Sequence, residues 1–234
     1  MAKSPSDTGH QINIASLSKT CTIVDALGDS YQPAHPDIQP AALRDFLRRC
    51  EEVHDTVKRS ESGYDTAVNV RKALFASLKK KATRVVNAYI DSGAPAGDVD
   101  DIRGINNVLQ GNSPKAPKDP GEGAEEESYS TSQQSFASQA DRFDSLLVRC
   151  AALRGYRSSE ADLSLDALKA FHQELVAAST AVDGAAFALR EARRHRKAVM
   201  YNEEQGCVAR SKRIRSYSKT KGMDILGGTR FRSY

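Results

Sequence analysis

Two long stretches of this chain place apolar residues at alternating steps of three and four. From Leu43 the steps land on Phe46, Cys50, Val53, Val57, Ser60, Tyr64, Ala67, Arg71, Leu74 and Leu78. From Leu168 they land on Phe171, Leu175, Ala178, Val182, Ala185, Leu189, Ala192, Arg196 and Val199. A period of about 3.5 residues over roughly five heptads marks a helix that buries a narrow seam against another helix. The small residues Ala67, Ala178, Ala185 and Ala192 permit close approach of helix axes.

Start and stop signals frame these helices. Pro40 fits the first turn of one, which runs to about Ile90 before Ser92-Gly93-Ala94-Pro95 ends it. The other begins near Leu165 with Ser164 as N-cap and continues to about Asn202. Each follows a shorter helix. Leu17, Cys21, Val24 and Leu27 form one stripe, closed by Gly28; Phe136, Ala140, Phe143, Leu147, Cys150 and Leu153 form another, closed by Gly155. A further short helix from Val99 to Leu109 is stopped by Gly111.

The two halves match at a fixed, gapless offset of 125 residues. Tyr31 falls on Tyr156, Asp37 on Asp162, Ile38 on Leu163, Leu43 on Leu168 and Phe46 on Phe171. Farther on, Arg71-Lys72-Ala73 falls on Arg196-Lys197-Ala198. Sparse identities at one offset, with apolar positions in phase, predict a tandem duplication. The match fades after Met200. The expected fold is all-α: two homologous repeats, each a short helix plus a long heptad-patterned one, in an elongated antiparallel coiled coil or bundle. The expected divisions are an N-terminal tail (1–14), repeat 1 (15–110), a linker (111–134), repeat 2 (135–221) and a basic tail (222–234), which docks through Ile225, Leu226 and Phe231. The linker is rich in Pro, Gly, Ser and Glu, a composition that predicts disorder.

Composition agrees with narrow seams. Only 39% of the 234 residues are hydrophobic, and Trp is absent. No apolar run suits a membrane span or a secretory leader, so the expected setting is the cytoplasm. Cys21, Cys50 and Cys150 fall on apolar helix positions as small buried hydrophobes; Cys207, beside Gly206, is less clearly inside. The net charge of +4 is uneven: from Arg190 onward there are thirteen Lys/Arg against four Asp/Glu.

That basic third is the main candidate for binding. Arg193, Arg194, Lys197, Arg210, Lys212, Arg213, Arg215, Lys219 and Lys221, interleaved with Tyr201 and Tyr217, could neutralise several phosphates without reading sequence. They make nucleic acid or the ribosome a candidate partner. Their alternative is a solvated face meeting acidic surface. Arg71 and Arg196 occupy matched seam positions, as a register-setting pair or as an anion contact with Glu61, Asp65 or Glu191 in reach. No catalytic constellation emerges: the five histidines lack metal-ligand spacing, no phosphate-binding glycine loop or nucleophile elbow is present, and Glu51, Glu52 and Asp55 suit a solvated face. Neither metal nor cofactor nor small-molecule substrate is expected, and a protein partner or self-association is.

Several segments resemble an uncharacterised bacterial family of two-repeat helical proteins. They are Tyr31-Gln32-Pro33 with Asp37-Ile38-Gln39-Pro40-Ala41-Ala42-Leu43, then Tyr64-Asp65-Thr66-Ala67-Val68-Asn69-Val70-Arg71, then Ala82-Thr83-Arg84-Val85-Val86-Asn87-Ala88 before Ser92-Gly93-Ala94. Ser130-Thr131-Ser132-Gln133 and Phe143-Asp144-Ser145-Leu146 fit the same pattern. The resemblance spans nearly the whole chain outside the linker. It implies the architecture and no activity. The C-terminal tail is more arginine-rich than the resemblance implies.

Overall fold

The computed structural model describes residues 5–112 and 134–233. Most of the segment expected as a linker therefore lies outside the described residues. Six α-helices and no strand occur among them: α1 (Pro5–Leu27), α2 (Pro40–Asp91), α3 (Ala96–Gln110), α4 (Phe136–Ala152), α5 (Leu165–Met200) and α6 (Cys207–Lys221). Every position of both heptad seams is buried or half-buried. The expected signals act where they stand. Pro40 opens α2, and Ser164 Oγ accepts from Ala167 N at 3.3 Å to cap α5. Gly111 closes α3 at φ 91°, a left-handed conformation that glycine takes without Cβ strain.

The chain divides into two compact units, each drawn from both halves: Met1–Tyr64 with Ala185–Tyr234, and Asp65–Gly184. The first unit surrounds Leu17, Cys21 and Val24 of α1, Leu43, Phe46 and Cys50 of α2, Val199 and Met200 of α5, and Ile214 of α6. Tyr31, 2% exposed, crosses beneath the loop before α2 and donates its hydroxyl to Ile38 O at 2.7 Å. A smaller cluster joins Val57 to Leu189 and Ala192. Cys207 is enclosed like the other three cysteines.

Residues 222–233 dock into this unit. Ile225 and Leu226 are buried and Phe231 packs beside them, as the sequence suggests. Their backbone also meets a polar stripe on α1. Asn13 Oδ1 accepts from Arg232 N at 2.7 Å and its Nδ2 donates to Arg232 O at 2.9 Å. Ser16 Oγ donates to Arg230 O and Lys19 Nζ to Gly227 O, both at 2.9 Å. The stripe has helical spacing, and at buried Asn13 and Ser16 the bonds satisfy polar groups that burial would otherwise penalise. α1 accordingly begins at Pro5, inside the 1–14 stretch read as a tail.

In the second unit α3 packs on α4. The core joins Phe75, Leu78 and Val85 of α2, Ile102 and Leu109 of α3, Phe143, Leu146 and Cys150 of α4, and Leu168 and Leu175 of α5. Tyr156 donates its hydroxyl to Leu163 O at 3.0 Å. Arg84 holds the Asp162 carboxylate through two bonds, 2.7 and 3.0 Å, and Lys81 adds a third at 3.2 Å. This bidentate fork holds the Asp162 carboxyl below its ordinary range.

Candidate functional site

The basic residues of the C-terminal third converge on α6, in the first unit. The helix starts at Gly206, whose backbone folds so tightly over the preceding turn that an added Cβ would lie 2.5 Å from Asn202 O. It ends at Gly222, φ 67°. Between them stand Arg210, Lys212, Arg213, Arg215, Lys219 and Lys221, without an acidic residue.

Two of these cations hold the fold. α6 packs against the 3-10 turn Pro36–Ile38. Arg210, with 9% of its side chain exposed, donates Nη1 to Asp37 O and Nε to Gln205 O at 2.9 Å. Its guanidinium lies 4.2 Å from the centre of the Phe46 ring. Burial lowers the pKa of Arg210, while the nearby Asp37 carboxylate acts in the opposite sense. Arg213 donates to Asp37 Oδ2 at 2.9 Å and to Glu204 O at 2.6 Å. Lys212, Arg215, Lys219 and Lys221 are exposed and make no ion pair among the described residues.

On α5, Arg193 pairs with Glu61 at 2.8 Å and Arg194 with Glu191 at 2.5 Å. Lys197 is exposed and shares with Lys212, Tyr201 and Asn202 the wall of an open cavity of about 520 Å³. Arg193, Arg194, Arg210 and Arg213 thus meet a carboxylate, whereas Lys212, Arg215, Lys219 and Lys221 meet none among the described residues.

Arg71 and Arg196 fall in different units. Arg196, 4% exposed, places Nη1 3.5 Å from His54 Nδ1. Arg71 stacks its guanidinium 4.3 Å from the centre of the Phe136 ring, with Nε buried and unbonded. Glu61 and Glu191, two of the carboxylates expected in reach, are engaged by Arg193 and Arg194.

Sequence reading misses Asp37, His54 and Thr229. Asp37 carries a signal, since it matches Asp162 in the offset and both carboxylates meet two cations. His54 carries none, because Arg196 reaches it from a distant segment, and nothing in the residue type of Thr229 marks its enclosed hydroxyl. Among the described residues no group of three or more His, Cys, Asp or Glu is placed to hold a metal ion, and no helix is long and apolar enough to cross a membrane. Comparison with protein-family models, curated proteins and solved structures returns no match for the chain.

Proposed function

We propose that this chain is a non-enzymatic protein-interaction scaffold of the cytoplasm, built from two homologous helical repeats whose long helices pair antiparallel. The duplication is supported by the Tyr31–Ile38 and Tyr156–Leu163 hydrogen bonds, the same bond at the 125-residue offset. Buried positions keep that spacing beyond the fading identities: Phe75 with Met200, Ala82 with Cys207, Tyr89 with Ile214. Antiparallel pairing is supported inside the first unit, where His54 meets Arg196 and Glu61 meets Arg193 as numbering rises along α2 and falls along α5.

The observation that carries the scaffold reading is α5 between Leu175 and Leu189. Asp183 is its only charge, and Val176 (46% exposed) and Phe187 (60% exposed) point outward. Exposed apolar surface on an otherwise charged helical protein fits contact with another protein. Light scattering on the full chain from low to high micromolar concentration, with a pull-down at native salt, tests it. A mass above 25.5 kDa or a stoichiometric protein complex, either lost in Phe187→Asp, is expected. A monomer that captures no protein overturns it.

A second reading, nucleic-acid or ribosome association, is favoured by the exposed Lys212, Arg215, Lys219 and Lys221, which meet no carboxylate. Gel-shift titrations with RNA and DNA across a salt series test it. Affinity should fall linearly on a double-logarithmic salt plot. Absence of binding at low salt removes it.

A further inference from the structure

We propose that the first unit holds a site for a small phosphate-bearing ligand with an apolar part, in the cavity between α6 and the turn that follows it. The cavity measures about 570 Å³, and its wall includes Arg215, Lys219, Met223, Asp224, Leu226 and Thr229. That volume falls within the range of small-molecule sites, roughly 300–1,000 Å³.

Two observations assign the chemistry. Arg215 and Lys219 stand one helical turn apart, and neither forms a hydrogen bond or ion pair among the described residues. Two adjacent cations repel unless a shared anion lies between them, and a phosphate dianion accepts both the guanidinium fork and the ammonium point charge. Asp224, the one carboxylate in the wall, pairs with neither; its Oδ1 accepts from Gly227 N at 3.0 Å and holds the turn. Ser218 is already engaged, donating to Ile214 O at 2.9 Å.

The apolar part of the ligand follows from Met223, half-buried, and Leu226, buried, which give the cavity a nonpolar side. A polynucleotide fits less well. Lys212 belongs to another cavity and Lys221 is absent from this wall, so the phosphate contacts here are local rather than a track.

The test is titration of the full ¹⁵N-labelled chain with phenyl phosphate, inorganic phosphate and a single-stranded RNA oligonucleotide, at constant ionic strength. Phenyl phosphate should shift the Lys219, Gly228 and Thr229 amides saturably and bind more tightly than inorganic phosphate. Arg215→Ala with Lys219→Ala should weaken it by about tenfold or more, the scale of two charge-assisted bonds. Lys72→Ala with Lys80→Ala, which removes two exposed charges of the other unit, should leave it unchanged. The proposal is overturned by unsaturable shifts, by equal losses in the Lys72/Lys80 variant, by full affinity in the Arg215/Lys219 variant, or by RNA binding where phenyl phosphate does not.

Discussion

Replacing Arg210 separates structural cations from available ones. Arg210→Ala removes two hydrogen bonds to the carbonyls of Asp37 and Gln205 and the stack on Phe46. Each part-buried acceptor left short of a partner costs about 1 kcal/mol, and a partly desolvated cation–ring contact contributes about 1 kcal/mol. Relief of the guanidinium's desolvation works in the opposite direction. Asp37 keeps Arg213, so its carboxylate is not stranded. The gross loss is about 3 kcal/mol, and that relief brings the net to about 2 kcal/mol. With a urea slope of about 2 kcal/mol per molar for a unit of this size, the midpoint should fall by roughly 1 M. Arg210→Lys keeps charge but not the fork, and should lie between that variant and wild type. Urea unfolding followed by circular dichroism, with RNA gel shifts on the same samples, reads both quantities. The reasoning fails if Arg210→Ala unfolds within about 0.5 kcal/mol of wild type, or if it abolishes RNA binding at unchanged stability.

Gly206→Ala should destabilise by about 1–3 kcal/mol, because its Cβ would meet Asn202 O at 2.5 Å and Met200 O at 2.7 Å, both backbone atoms that cannot swing aside; an unchanged melting temperature would refute this. The four buried cysteines should resist iodoacetamide at pH 8 and react once urea unfolds the chain, as burial raises Cys21 to about 11 and Cys150 to about 12. Intact-mass spectrometry counts the adducts, and rapid labelling of Cys150 in the folded chain contradicts the expectation. Asp162 has a folded pKa below its ordinary 3.8, so its contribution to stability is present above that value and lost as pH falls through the lower one. Asp162→Asn should therefore be less stable than wild type near pH 6, with the gap closing toward pH 2. Melting curves across that range decide, and a constant gap rules the linkage out.

The long helices were legible because a seam period survives any tertiary detail: Leu43 to Leu78 and Leu168 to Val199 needed only their spacing. Pro40, Ser164 and Gly111 were legible because their backbone chemistry acts locally. α6 as a separate helix was not. Its buried face includes Arg210, Ser211 and Ser218 beside Cys207 and Ile214, so polar residues occupy positions where a periodicity reading requires apolar ones. The same holds for early α1, where His10, Asn13, Ser16 and Thr20 are buried. Asn13 and Ser16 are satisfied by Arg232 and Arg230, more than two hundred residues away in sequence. A polar stripe is legible as buried only when its distant partner is known.

The basic residues carry this furthest. Arg210 and Arg215 are indistinguishable by type, helix and local charge, yet one faces Asp37 and Phe46 while the other lines a cavity wall. Arg71 and Arg196 share a heptad position and a flanking Lys-Ala, yet one stacks on Phe136 and the other meets His54. A seam position determines that a side chain will be at least partly desolvated; it does not determine what compensates the charge. Compensation is supplied by residues that lie far off in sequence, and those differ between the units even where the seam does not. Net charge over the last third of the chain therefore overstates the cations free to bind a partner. Of the six on α6, Arg210 and Arg213 are held by the turn at Asp37, and any anionic ligand must be met by the four that remain.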